Sequence, residues 1–100
     1  MTPEAKVKKR VRVELERRDG VYYFMPATGG YGRSGVPDIV VCYRGKFIGI
    51  ECKAGKGQPT ALQLKNLAQI RDQGGIALVV NEDTVGGVQE LMELLKGETK

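Results

Sequence analysis

Apolar residues along the chain follow two rhythms, and the places where the rhythm changes mark the elements. Thr2 and Pro3 open a first helix, predicted over 3–18, because Thr can cap and Pro is tolerated in the first turn. It carries Val7, Val11 and Leu15 at helical spacing and stops at Asp19-Gly20. Residues 21–25 read as a short strand. Residues 37–43 and 46–53 are β-rich runs separated by Arg44-Gly45, a two-residue hairpin turn. Beyond a loop at 54–58, a second helix over about 59–73 turns Leu64, Leu67, Ala68 and Ile70 inward. Gly74-Gly75 breaks it, and the uninterrupted apolar run 76–80 has the character of a buried strand. A last helix near 85–96 aligns Val88, Leu91, Met92 and Leu95 on one stripe. The order α-β-β-β-α-β-α predicts an α/β fold, a mixed central sheet flanked by helices.

The hairpin brings chemistry into this pattern. With Arg44 and Gly45 in the turn, Tyr43 faces Lys46, and the pairing continues until Asp38 lies opposite Glu51. Directly opposed residues share a face, with Cβ atoms roughly 4.5–5.5 Å apart. Alternation places Lys53 on that face and Ile39, Val41, Ile48 and Ile50 on the other. Two opposed carboxylates repel, and a divalent cation removes the penalty. Mg²⁺ suits such a pair because it prefers hard oxygen ligands and takes only one or two carboxylates. Lys53 can then orient or deprotonate a water, or stabilise charge on a phosphate. The plain alternative is a solvated polar strand with one ion pair. It fits less well with Val40, Cys42, Phe47 and Gly49, which share the face and are expected to be partly buried.

Composition narrows the choice. One hundred residues suit one domain over 1–100, 41% hydrophobic and 28% charged. A core of this size is marginal by itself, so a second subunit is a natural support. The net charge of +4 favours an anionic partner, most commonly nucleic acid, although a basic surface can serve solubility alone. The absence of histidine excludes His-based triads and zinc–histidine sites, leaving carboxylates, lysine and metal-activated water for catalysis. The two cysteines form no zinc spacing and fit a reducing compartment. Cys42 and Cys52 fall on opposite faces of the sheet and are expected in the core or as backbone ligands. With no leader-like h-region and no apolar run of spanning length, the chain is expected in the cytoplasm (the host's, if viral) and away from membranes.

Gly35-Val36-Pro37-Asp38, followed after the hairpin by Glu51-Cys52-Lys53, resembles the PD-(D/E)XK nuclease superfamily. More closely it resembles its virus-type replication-repair nuclease domains, VRR-NUC. The match runs from the first helix through Gln63 to the Gly74-Gly75 strand, most of the chain. The resemblance implies a restriction-endonuclease-like fold, Asp38 and Glu51 as Mg²⁺ or Mn²⁺ ligands, the Cys52 carbonyl as a further ligand, and a water-orienting Lys53. It also implies a metal role for Glu4, which continues the inward stripe of Lys8, Val11 and Leu15. A carboxylate in a first helical turn is equally accounted for by the helix dipole. Gln63 is implied beside the lysine in the catalytic set, and it equally fits a Thr60–Gln63 capping box.

The Gly-rich segment 27–35 lacks Gly-Lys-Ser/Thr and precedes a strand, so it reads as a DNA-contacting loop carrying Tyr31 and Arg33 rather than a nucleotide cradle. Lys8, Lys9 and Arg10 form a basic run that either tracks DNA phosphates or is simply solvated. Lys56, in the loop at 54–58, joins the DNA-binding candidates. The expectation is a metal-dependent DNA endonuclease, selective for branched DNA such as four-way (Holliday) junctions and acting as a homodimer. The alternatives are a flap or general endonuclease, and a DNA-binding module whose acidic site is dead or structural.

Overall fold

The structure, a computed structural model, describes residues 1–27 and 32–98. The elements are α1 (Pro3–Glu16), β1 (Tyr22–Phe24), β2 (Ile39–Tyr43), β3 (Lys46–Cys52), α2 (Ala61–Asp72), β4 (Ile76–Val80) and α3 (Gly86–Glu98), in the order read from the sequence. Thr2 caps α1, its hydroxyl accepting the Ala5 amide at 3.1 Å, with Pro3 in the first turn. Arg44 and Gly45 both have positive φ, 54° and 79°. Two such residues make the turn whose twist matches that of paired strands. That turn sets the β2–β3 register, in which Tyr43 pairs with Lys46 and Ile39 with Ile50.

The four strands lie in the order β1-β2-β3-β4; the first two pairings are antiparallel, and β3 runs parallel to β4 through the α2 crossover. One face carries Ile39, Val41, Tyr43, Ile48, Ile50, Cys52 and Val80 against Val7, Val11 and Leu15 of α1 and Val88, Met92 and Leu95 of α3. All of these are buried. The core therefore sits between the sheet and the α1–α3 layer.

The other face is covered less completely, and here several sequence-based expectations change. Leu64 and Ala68 are exposed, not inward. Contact between α2 and the sheet follows a narrow seam of Asn66, Leu67 and Ile70, reached closely because Gly49 has no side chain. A Cβ on Gly49 would lie 2.7 Å from Ile70 Cδ1 and 2.8 Å from Pro37 Cγ. Asn66 is turned inward with its amide donating to Leu62 O (2.9 Å) and Ser34 O (3.3 Å). Cys42 and Phe47, expected to be partly buried, are exposed, because the seam meets β3 at Gly49 and leaves this pair, next to the hairpin turn, uncovered. Val79 is exposed as well, although Ala77 on the same face is buried, so the run 76–80 is not buried throughout.

Candidate active site

At the end of the hairpin opposite its turn, the ladder stops and charged groups converge. Lys53 N donates to Val80 O of β4 at 2.9 Å. Neighbouring residues of a strand point their backbone groups to opposite sides, so the N–H and C=O of Cys52 face β2. Continuing the register two places beyond Ile39–Ile50 brings Pro37 opposite Cys52. Proline has no N–H to give. The Cys52 carbonyl is therefore left without a ladder donor, while the Cys52 amide donates to Asp38 Oδ2 at 2.8 Å. Pro37 thus frees a main-chain oxygen beside an aspartate that the Cys52 amide holds in place.

Glu51 is 1% exposed, and neither carboxylate oxygen accepts a hydrogen bond. Its nearest cation is Lys53, Nζ lying 3.4 Å from Oε2. Burial first, and then the neighbouring Asp38, push the Glu51 carboxyl up to about 7, partly offset by Lys53. Desolvation disfavours the charged form and a second carboxylate adds to it. The oxygens of Glu4, Asp38 and Glu51 come together, with one from each lying within 4.8 Å of the others. Glu4 arrives from the first turn of α1, one turn ahead of Val7 and Lys8 on the inward side of that helix.

A buried carboxylate with no hydrogen bond, next to two more and offset only by Lys53 at 3.4 Å, is an expensive arrangement for a protein by itself. It fits a hard divalent cation, which supplies to oxygen ligands what hydrogen bonds would otherwise supply. The Cys52 side chain is no part of this donor set. It points into the core, and burial, with Asp38 and Glu51 adding to it, pushes its thiol up to about 12, so it stays protonated.

Of the other residues singled out in the sequence, Gln63 sits in the capping box of α2: its Oε1 accepts the Thr60 amide at 2.9 Å and its own amide donates to the Thr60 hydroxyl at 3.2 Å. Lys8, read as a phosphate-tracking residue, lies in the acidic cluster, Nζ 3.4 Å from Asp38 Oδ1. Lys9 is exposed, and Arg10 donates to the Glu82 carbonyl at 3.0 Å. Arg33 is hydrogen-bonded to Gln69 Oε1 of α2. Lys56 is exposed in a loop whose Gly55 amide is held by both oxygens of Glu82, at 2.8 and 3.1 Å. Tyr31 lies outside the described residues. Sequence reading missed the part played by Pro37 and the placement of Lys8. A lysine one turn after Glu4, on the apolar side of a helix, was the available signal for the second.

This combination of a mixed sheet, an open hairpin end and a convergent acidic cluster defines the class: an α/β nuclease domain. No family model matches the chain. It is 30% identical over 86 residues to a protein of Acyrthosiphon pisum secondary endosymbiont phage 1 named "Putative nuclease p44", covering 85% of this chain and 89% of that one. A solved structure described as a VRR_NUC domain superposes with a TM-score of 0.71 at 27% identity, covering 93% of this chain and 97% of the other. A second, described as a VRR_NUC domain protein, gives 0.69 at 18% identity over 95% and 88%. The chain belongs to the VRR-NUC family of nuclease domains. Among the described residues no helix is long and apolar enough to cross a membrane.

Proposed function

We propose that this protein is a metal-dependent DNA endonuclease. The observation that carries the reading is Glu51, buried beside Glu4 and Asp38 with neither oxygen hydrogen-bonded. Glu4, Asp38, Glu51 and the Cys52 carbonyl are the ligand set. A Mg²⁺ or Mn²⁺ ion held there would neutralise the carboxylates and stabilise the charge that builds on the phosphate during attack. Lys53 orients the attacking water and holds its ammonium toward that charge, having no lone pair with which to ligate a cation. Gln63, whose oxygen is engaged at the start of α2, would have only its Nε2 donors to offer a phosphate.

Lys9, Arg10, Arg33 and Lys56, with Tyr31, are the proposed DNA contacts. The excess of basic residues supports a largely electrostatic grip, weakening steeply with salt and reading little sequence. For substrate, branched DNA of the four-way type is the first choice, cut by a homodimer whose two-fold symmetry matches that of the junction. Tyr22 at 68% exposure and Phe24 at 48% lie on edge strand β1, on the same sheet face as exposed Cys42 and Phe47, and support a self-association surface there.

The test is cleavage of labelled linear, flapped and four-way DNA with and without Mn²⁺, joined to calorimetric Mn²⁺ titration of wild type, Asp38→Ala and Glu51→Ala. Paired nicks on the four-way substrate, dependent on metal, are expected, with metal binding lost in both variants. Unchanged Mn²⁺ affinity in both variants would sink the ligand assignment. DNA binding without cleavage at any metal concentration would favour a non-catalytic module.

A further inference from the structure

Within the basic run of α1 the side chains go to different places. Lys9 faces solvent, Arg10 bonds to the Glu82 carbonyl, and Arg12 is tied to Tyr23. Lys8 differs from these. Its Nζ lies 3.4 Å from Asp38 Oδ1, its side chain is 31% exposed, and it stands one helical turn after Glu4. The acidic cluster is therefore flanked by two lysines on different elements, Lys53 of the hairpin on Glu51 and Lys8 of α1 on Asp38, each at 3.4 Å. A lysine placed to track backbone phosphates has no need of a carboxylate inside its own chain.

We infer that Lys8 belongs to the active site: it is the counterion of Asp38 until a divalent cation binds, and it then contacts the phosphate being cut. This rests on the metal-nuclease reading above. A metal ion on Asp38 repels an ammonium at the same carboxylate and takes over its role in neutralising the charge. Binding of the ion therefore displaces it. The four-carbon stem is flexible and part-exposed, so the head group can swing outward while staying at the mouth of the site. Displacement releases a positive charge where the phosphate arrives, and so ties readiness for DNA to occupancy by metal.

The test uses the full chain as Lys8→Met and Lys8→Arg, with folding checked by far-UV circular dichroism. Mn²⁺ affinity is measured by calorimetry without DNA. Cleavage is measured in single turnover at saturating Mn²⁺ and DNA. In Lys8→Met, Mn²⁺ should bind about fivefold more tightly, since a competing part-exposed ion pair is gone. Cleavage at saturation should fall by about a hundredfold, the effect of removing one donor from a developing charge. Lys8→Arg should recover most of the cleavage.

Unchanged Mn²⁺ affinity in Lys8→Met would overturn the counterion role. Wild-type cleavage at saturation, with only weaker and less salt-sensitive DNA binding, would return Lys8 to phosphate tracking. Failure of the wild-type protein to bind Mn²⁺ would instead overturn the underlying metal reading, and the Lys8 inference with it.

Discussion

On the face that α1 and α3 cover, Ile39, Val41, Ile48, Ile50 and Cys52 are buried, and none of them carries a charge. On the opposite face the helix α2 reaches only part of the sheet, Gly49 replaces a side chain, Glu51 is buried as a carboxylate, and Phe47 is 47% exposed. The same two strands serve both faces, so the difference lies in side chains alone. The first face stabilises by removing apolar area from water. The second holds unfavourable electrostatics in position, and the first is what makes that tolerable.

That contrast can be broken most strongly on the covered face. Ile50→Ala should destabilise the protein by about 3 to 4 kcal/mol, through lost burial and the cavity left behind. Urea denaturation would read this as a lowered midpoint. A loss under about 1 kcal/mol would mean that the α1–α3 layer is packed more loosely than the structure implies.

Glu51→Gln should act in the opposite direction. In metal-free protein at pH 8 it should raise stability by about 2 kcal/mol, because a buried charge beside another carboxylate is replaced by a neutral amide. Cleavage and metal affinity should be lost in the same variant. A variant that is both less stable and metal-free would show that Glu51 is held by interactions other than those described.

The pH dependence sharpens the same point. The Glu51 carboxyl, ordinarily at 4.5, is pushed up to about 7 in the folded protein, so the folded state binds the proton more tightly than the unfolded one. Its stabilising contribution is complete below about pH 4.5 and is lost as pH rises through about 7. Thermal melts in EDTA between pH 5 and 8 should show this component falling with pH, and Glu51→Gln should remove it. Saturating Mn²⁺ should counter the fall, since metal binds the deprotonated site. A melting temperature that rises over this range in wild type alone, relative to Glu51→Gln, would contradict the burial of the charge.

The smallest effect belongs to the exposed aromatics. Phe24→Ser should change monomer stability by no more than about 0.5 kcal/mol, as a surface change. It should reduce self-association seen by light scattering if the open β1–β2 face is a contact between copies. Unaltered association would move the dimer contact elsewhere, the final helix being the next candidate.

What could be read from the sequence was mostly local. The turn at Arg44-Gly45, the alternation on either side of it, and hence the meeting of Asp38 with Glu51 depend on neighbours along a single hairpin. The helical stripes of α1 and α3 were legible because both face one continuous apolar layer. Expectations failed where packing between distant elements decides. The rotation of α2 is set by Gly49, Gly35 and Asn66, so that Leu64 lies outward even though it fits the inward spacing. The inward side of Lys8 was legible in the stripe of α1, but its pairing with Asp38 depends on how α1 crosses the open end of the hairpin. Gln63 was ambiguous because one residue satisfied two rules, and its oxygen now satisfies the capping one.

The Arg44-Gly45 turn also governs which kinds of genetic change this protein can absorb. It lies six residues from Glu51, roughly 20 Å along an extended strand. A change of residue there is mild: Arg44→Asn or Arg44→Gly suits a positive φ at least as well as arginine does. A change of length is severe. Deleting either turn residue shifts the pairing by one place, and a one-place shift exchanges the two faces of a strand. Glu51 would then compete for the side now occupied by Ile50 and Cys52, so an apparently harmless surface loop tolerates substitution but not insertion or deletion.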